Sequence, residues 1–524
     1  MSDIKDFPTV GDVVRFPAQD RGDAVAMVFG DEKTTYREFD QQSNQAGNGL
    51  LGFDVPRQGR IAVMAKNSAD QFVLIFGAVK AALVMVSVNW RLAGPEVAYI
   101  INDSGAEILF VGEEFYGLIG SIRDDLTSVR QIIAMDGGHP EWPAFRDWRD
   151  QQDTTDPAIE IVEDDVAIQM YTSGTTGNPK GVQLTHANYR SNFHNGFKDG
   201  WRKLEADDVS LMCMPMFHVG GVNWGMTGFA AGCLNIIMKE AGAGDIIRLI
   251  EDYKVTRTLF VPAIILMILQ HPDAKGADFS SVTSVCYGAA PIPFELLRDA
   301  TNVFSADFVQ LYGMTETTGA FTHLPAEDHD PQGNQRMRSC GKANSGVEVK
   351  VVDDDGNPVP QGSVGEIIMR SGGVMKGYWN LPDETAKTIR DGWLYTGDAG
   401  FFDEDDYLYI HDRVKDMIVS GGENIYPAEV ESALFGHPAI SDVAVIGIPD
   451  DRWGEGVKAV VYLKEGESAG EEELITYARE RIAGYKVPKS VDFYPEPLPR
   501  NPSGKLLKRV LRAPYWEGRE RSVN

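Results

Sequence analysis

YTSGTTGNPKG, residues 171 to 181, sets three glycines and five hydroxyl side chains around one proline and one lysine. It follows DVAIQM (165–170), a short aliphatic run that reads as a strand. Glycines among small hydroxyl residues let a chain turn tightly and aim successive backbone N–H groups into one concavity. Thr172, Ser173, Gly174, Thr175, Thr176, Gly177 and Lys180 thus make a loop suited to phosphate oxygens, with Lys180 as a point charge. It is not the Walker pattern, because Asn178 follows the second glycine and no GK[ST] occurs. A plain turn is the competing reading; the crowding of Thr172, Ser173, Thr175 and Thr176 weighs against it.

Outward from this loop the chain alternates short β-rich runs with amphipathic stretches. RIAVMAKN, SADQFVLIFGAVKAAL and VMVSVNW (60–90) read as strand, helix, strand. AEILFVG, VRQIIAMD, VSLMCMP, VTRTLFVPA and VTSVCYGAA are further strand candidates, several followed by helical segments. The alternation predicts βα units around mainly parallel sheets, an α/β class. After about residue 345 the texture turns to hairpins, VEVKVVDDDGNPVP with GEIIMRS, then DGWLYTGDAGFFDEDDYLYIHDR. Beyond the polar segment HDRVKDMI a small αββαβ unit is expected, which puts a domain boundary at 412–416.

Composition bounds the function. A chain of 524 residues exceeds the size of most single cores, so two or more domains are expected. The formal net charge of −28 speaks against nucleic acid or an anionic membrane as the main partner. It does not exclude a small anion held by local amides, cations and Mg²⁺. Cys213, Cys233, Cys286 and Cys340 have no metal spacing and read as reduced structural thiols. The first residues, MSDIKDFPTV, lack a signal-peptide pattern, and no apolar run is long enough to span a membrane. A cytoplasmic enzyme is the expectation.

The loop resembles the phosphate-loop signature of acyl-CoA synthetases in the adenylate-forming superfamily, and other motifs follow in that family's order. They are MPMFHVGG (214–221), YGAAPIP (287–293), LYGMTET (311–317), GWLYTGD (392–398), DRVKDMIVSGGENIYPAEVE (412–431) and NPSGKLLKR (501–509). The resemblance implies a large domain (1–412) of two parallel βα sheet subdomains plus a distorted β-barrel. It further implies a hinge at 413–416 and a mobile α+β lid at 417–524. The implied reaction joins ATP to a small-molecule carboxylic acid, releases pyrophosphate, and passes the acyl group from AMP to coenzyme A. A moving lid has a physical reason, because the first step needs positive charge between two anions and the second needs an open path for a long thiol.

Site roles carry over from the matching motifs. Lys505 would contact the acyl carboxylate and the ribose or α-phosphate side. Glu316 would hold Mg²⁺, for which a carboxylate is a suitable hard donor. Tyr312 would stack on adenine beside Gly288, Ala289 and Ala290, with Gly313, Met314 and Thr315 continuing the nucleotide segment. Asp398 would accept the ribose hydroxyls and Arg413 would donate toward ribose or phosphate; as isolated residues they equally read as a surface ion pair. Lys415 takes the hinge position. Gly421, Gly422, Gly221 and Trp224 would border the CoA and acyl tunnel, with His218 gating it rather than acting as a base. A thiol of pKa about 8.5 already supplies some thiolate.

The acid is less legible. FHVGGVNWGM, TSVCYGAAP and TETTGA should line its pocket, and no lysine or arginine stands out in them, which points to a monocarboxylic acid. Trp224 favours a short- to medium-chain fatty acid or a flat aryl acid over a very long chain. The alternatives are an aryl or hydroxycinnamic acid–CoA ligase and a stand-alone enzyme that transfers to a carrier protein. Luciferase-type oxidation shares the adenylation half without local support. A non-enzymatic interaction protein would release no pyrophosphate. Dimers occur among similar enzymes, so a homodimer is a further expectation.

Overall fold

The computed structural model describes residues 6–172, 178–413, 416–420, 423–425, 427–450, 453–500 and 506–517. Its organising feature is two sheets of parallel strands. One has seven strands: Gly377–Tyr378, Lys180–Thr185, Val166–Thr172, Val84–Ser87, Arg60–Met64, Ile108–Val111 and Gln131–Ala134, in spatial order. The last five of these run parallel. The other has nine, with Asp307–Met314, Ser284–Gly288, Arg257–Phe260, Val209–Met212, Leu234–Ile237 and Val25–Phe29 as its parallel centre.

Between the sheets lies the largest apolar core, crossed by the helix Ala69–Lys80, every residue of which is buried. Burial on all sides explains why SADQFVLIFGAVKAAL carries so few polar positions. Its neighbour, helix Tyr36–Leu51, begins on a reciprocal cap between Thr35 and Glu38. The two helices meet at glycines: a Cβ on Gly77 would lie 2.6 Å from Ala46 Cβ and 2.9 Å from Gly47 N. The fully buried Lys80 ammonium reaches Asp40 Oδ1 at 2.6 Å, Ser43 at 2.7 Å and Asn44 at 2.8 Å, so its charge is compensated.

A third sheet is antiparallel: Glu348–Val352, Gly365–Arg370, Trp393–Phe402, Ile389–Arg390 and Leu408–Arg413. It is the part-curled, half-barrel-like element that the resemblance implied. The smaller C-terminal unit has its own five-stranded sheet, built on the long hairpin Ile440–Asp450 with Gly454–Leu463, and its own apolar core. Helices Pro427–Phe435 and Glu471–Arg479 and strand Ser490–Phe493 fall where the αββαβ reading put them. The strands Ile418–Ser420 and Glu423–Ile425 and the helix Lys508–Arg512 extend that unit. All four cysteines are buried and free. Among the described residues no helix is long and apolar enough to cross a membrane.

Candidate active site

The glycine-rich stretch is the connection of a β-hairpin. Strand Val166–Thr172 pairs antiparallel with Lys180–Thr185, setting Tyr171 opposite Gly181 and Thr172 opposite Lys180. Ser173, Gly174, Thr175, Thr176 and Gly177 lie outside the described residues, as do Lys415, Gly421, Gly422 and Lys505.

Thr172 points toward Glu316, its hydroxyl 3.4 Å from Oε1. Glu316 sits in a one-turn 3₁₀ helix, Thr315–Thr317, that follows strand Asp307–Met314. The turn is fixed twice: the Thr317 hydroxyl accepts from Met314 N–H at 3.0 Å, and the Glu316 carbonyl accepts from Met375 N–H at 2.8 Å. The buried carboxylate also accepts from the Tyr378 hydroxyl at 3.0 Å. Burial, with the Glu316 charge next, holds the Tyr378 phenol well above its usual pKa, so it remains a donor. Lys180 pairs with Glu384 and lies 5.1 Å from the centre of the Tyr378 ring. Lys180 and Lys387 together hold the Glu384 carboxyl down at about 2.

A second pair defines the other end. Tyr312 donates to Asp398 Oδ2 at 2.8 Å, and burial raises its phenol well above the ordinary value. Asp398 faces Arg413 across the register of two antiparallel strands, which brings the two motifs together in the backbone. Beside Tyr312 the chain approaches itself closely. A Cβ on Gly288 would fall 2.1 Å from the Leu311 carbonyl oxygen, and one on Gly313 would fall 2.0 Å from that of Gly319. Ala289 holds φ +65°, a left-handed conformation, and Ala289 and Ala290 are more exposed than Gly288. Met314 and Thr315 are half-buried on the path from Tyr312 to Glu316.

His218 is the N-cap residue of helix Val219–Ala231. Its ring lies against Phe217, centroids 4.5 Å apart, and its Nε2 is buried without a partner. Burial, with the Arg91 charge after it, pushes its pKa down to about 4, so the ring is neutral near pH 7. The helix it starts is seated by Gly221, where a Cβ would stand 2.2 Å from the Pro215 carbonyl oxygen. Trp224, in the same helix, is drawn into the core and donates to the Leu211 carbonyl at 3.1 Å.

One residue outside the motifs enters this region. Arg202 is buried and donates to Asn192 Oδ1 at 2.6 Å and Thr227 Oγ1 at 2.7 Å. It lies outside the three stretches expected to line the acid pocket, which themselves carry no lysine or arginine. Arg202 belongs to the loop before strand Val209–Met212, and only folding carries it across. A tryptophan–arginine pair in a polar loop is a weak signal that could have marked it.

Residues 14–379 match the family described as AMP-binding enzyme, and 429–505 match the AMP-binding enzyme C-terminal domain. The chain belongs to this family. It is 36% identical, over 98% of both chains, to the fatty acid–[acyl-carrier-protein] ligase ScoC of Streptomyces coeruleorubidus. It is 36% identical to a feruloyl-CoA synthase of an Amycolatopsis species, over 93% of this chain and 95% of that one. Among solved structures, an anthranilate CoA ligase in complex with anthranoyl-AMP aligns with a TM-score of 0.89 at 29% identity, covering 98% of this chain and 99% of the other. Membership in the AMP-binding family makes the protein an AMP-forming ligase that works through an acyl-adenylate, and the two family segments match its two-part architecture.

Proposed function

We propose that the protein is a carboxylic acid–CoA ligase whose preferred acid carries a ring, an aryl or arylalkenoic acid rather than a short saturated chain. The Thr172–Glu316–Tyr378 cluster carries the adenylation half: it gathers a threonine hydroxyl and a carboxylate beside the hairpin that ends at Lys180. The feruloyl-CoA synthase and anthranilate CoA ligase likenesses support the ring acid. The unpartnered Asn223 Oδ1 on helix Val219–Ala231 and Arg202 Nε would suit a polar substituent on such a ring better than a saturated tail.

In this reading Asp398 accepts the ribose hydroxyls and Tyr312, held by it, presents its ring to the base. Lys180 exchanges Glu384 for phosphate oxygen when ATP arrives. Residues 1–412 form the body, 413–416 the hinge with Lys415 at its centre, and 417–524 the lid. The change from the third sheet to the fourth across residues 413–418 supports that division. Lys505 comes in for adenylation; Gly421 and Gly422 come in for the thiol step, with His218 as a neutral gate. Among the described residues no three ligating side chains gather. Glu316 alone nonetheless fits Mg²⁺, which commonly takes one carboxylate and completes its shell with phosphate oxygens and water. Bound there, it would neutralise phosphate charge.

Pyrophosphate release measured over a panel of acids, with and without CoA, tests the proposal. Ring acids should give the highest kcat/KM, and acyl-CoA should form. Greater kcat/KM for saturated C4–C10 acids would overturn the ring preference. Thioester formed only on an added carrier protein, the reading favoured by the ScoC likeness, would overturn the CoA assignment. Lys505→Ala should cut pyrophosphate release by orders of magnitude while a pre-formed acyl-adenylate still reacts with CoA.

A further inference from the structure

Four lysine or arginine side chains are buried among the described residues: Lys80, Arg149, Lys458 and Arg202. Lys80 pairs with Asp40, Arg149 with Asp70 and Lys458 with Asp492. Arg202, 3% exposed, makes no ion pair among the described residues. Two of its guanidinium nitrogens donate to neutral oxygens, Asn192 Oδ1 and Thr227 Oγ1, and its Nε has no partner. Burying an uncompensated cation is costly, so a fold retains one where something else supplies the charge or the acceptor.

The surroundings show where that acceptor would come from. Thr227 and Asn223 lie on helix Val219–Ala231, which begins at His218. Asn223 donates to the Thr318 carbonyl at 2.7 Å, and Asn192 donates to the Ala320 carbonyl at 3.1 Å, both in the segment just past Glu316. Arg202 thus bonds to Thr227, the residue after the stretch 217–226, and to Asn192, which itself bonds to Ala320 at the end of TETTGA. Thr227 is one helical turn beyond Asn223, about 6 Å further along the axis, so the Arg202–Thr227 bond sits one turn past the Asn223–Thr318 contact. Asn223 Oδ1 and Tyr189 Oη are also buried without partners.

The placement is built rather than incidental. The side chain runs between two aromatic rings, its guanidinium 4.4 Å from the centre of Phe193 and 4.6 Å from that of Trp201. Gly196 makes the room: a Cβ there would stand 2.5 Å from Arg202 Cδ and 2.8 Å from Trp201 Cζ2.

We infer that Arg202 is a specificity-determining residue that receives an oxygen acceptor carried by the acid at the end remote from its reacting carboxyl. A phenolic oxygen and a second carboxylate share that chemistry. The inference rests on the acid-activating role given to this site above and names the feature of the acid that the site selects.

The test compares three acids that differ only at the far end: 3-phenylpropenoic acid, its 4-hydroxy derivative and its 4-carboxy derivative. Wild-type kcat/KM for pyrophosphate release should favour one oxygen-bearing acid over the parent by more than about 10-fold, since a site built to bond a substrate oxygen rejects the analogue lacking it. Which derivative wins identifies the acceptor. Arg202→Met should bring that ratio close to one, and Arg202→Lys should keep part of it. Equal wild-type kcat/KM for the three acids overturns the inference without any variant, as does a ratio preserved in Arg202→Met. If none of the three reacts while saturated acids do, the ring reading falls; saturated acids ending in methyl, hydroxyl or carboxyl then put the same question to Arg202.

Discussion

Tyr378 donates its hydroxyl hydrogen to Glu316 across 3.0 Å, from a strand that pairs with the far side of the glycine-rich hairpin. One bond thus ties the turn bearing the carboxylate proposed to hold Mg²⁺ to the hairpin whose loop would hold phosphate. Tyr378→Phe removes that donor and leaves a buried carboxylate oxygen with one weak partner, at a cost of about 1–3 kcal/mol. Adenylation should slow about 10-fold or more, read as pyrophosphate release. Glu316→Gln should slow it further, while thioester formation from a supplied acyl-adenylate persists.

The Tyr312–Asp398 bond predicts a different signature. Removing the carboxylate in Asp398→Ala should weaken nucleotide binding by about 10- to 100-fold, the range for hydrogen bonds to a charged group. AMP should then no longer raise the thermal midpoint. Tyr312→Phe keeps the ring and loses the tether, so its effect on the KM for ATP should be smaller. Equal effects of the two variants would contradict the assignment of Asp398 to the ribose.

Backbone crowding at Gly313 is testable by adding one methyl. Gly313→Ala places carbon 2.0 Å from a carbonyl oxygen that the sheet fixes, and should cost about 1–3 kcal/mol. Gly117→Ala, in helix Tyr116–Ser121 with no atom within 4 Å of the new carbon, should instead stabilise by about 0.4–1 kcal/mol. Urea midpoints compare them directly.

Three histidines make the fold acid-sensitive. Burial is the largest cause of the drop to about 4 in His186, His218 and His329, from an ordinary 6.5. The His329 ring is committed as well: Nδ1–H donates to the Pro325 carbonyl at 2.9 Å, leaving Nε2 to accept from Tyr287 at 3.0 Å. Between pH 6.5 and 4 the unfolded chain binds more protons at these sites, so stability is complete above 6.5 and falls as pH drops toward 4. Each histidine adds a slope of up to about 1.4 kcal/mol per pH unit. Unfolding free energies from pH 7 to 4.5 should show this, and His329→Gln should lower the slope by up to one proton. A flat profile would mean these rings titrate normally.

Short-range patterns carried much of the architecture. The strand before the glycine-rich loop, the parallel runs and the C-terminal αββαβ unit were legible because side-chain period and turn residues are local. The pairing of Val25–Phe29 with Leu234–Ile237, with Met27 opposite Asn235, was not, since strand order depends on contacts between distant segments. Helix Ala69–Lys80 shows the limit from the other side: its apolar length is visible in sequence, but its place between two sheets is not.

Motif order determined the family and the chemistry of nucleotide and carboxylate, because residues that must touch phosphate leave compact, ordered signatures. Tertiary structure alone decided that Tyr378 supports Glu316, that Trp224 turns into the core, and that Arg202 is buried against helix Val219–Ala231 without an ion pair among the described residues. Those outcomes are set by which surfaces pack together and which buried charges lack a partner, and both are properties of the folded whole.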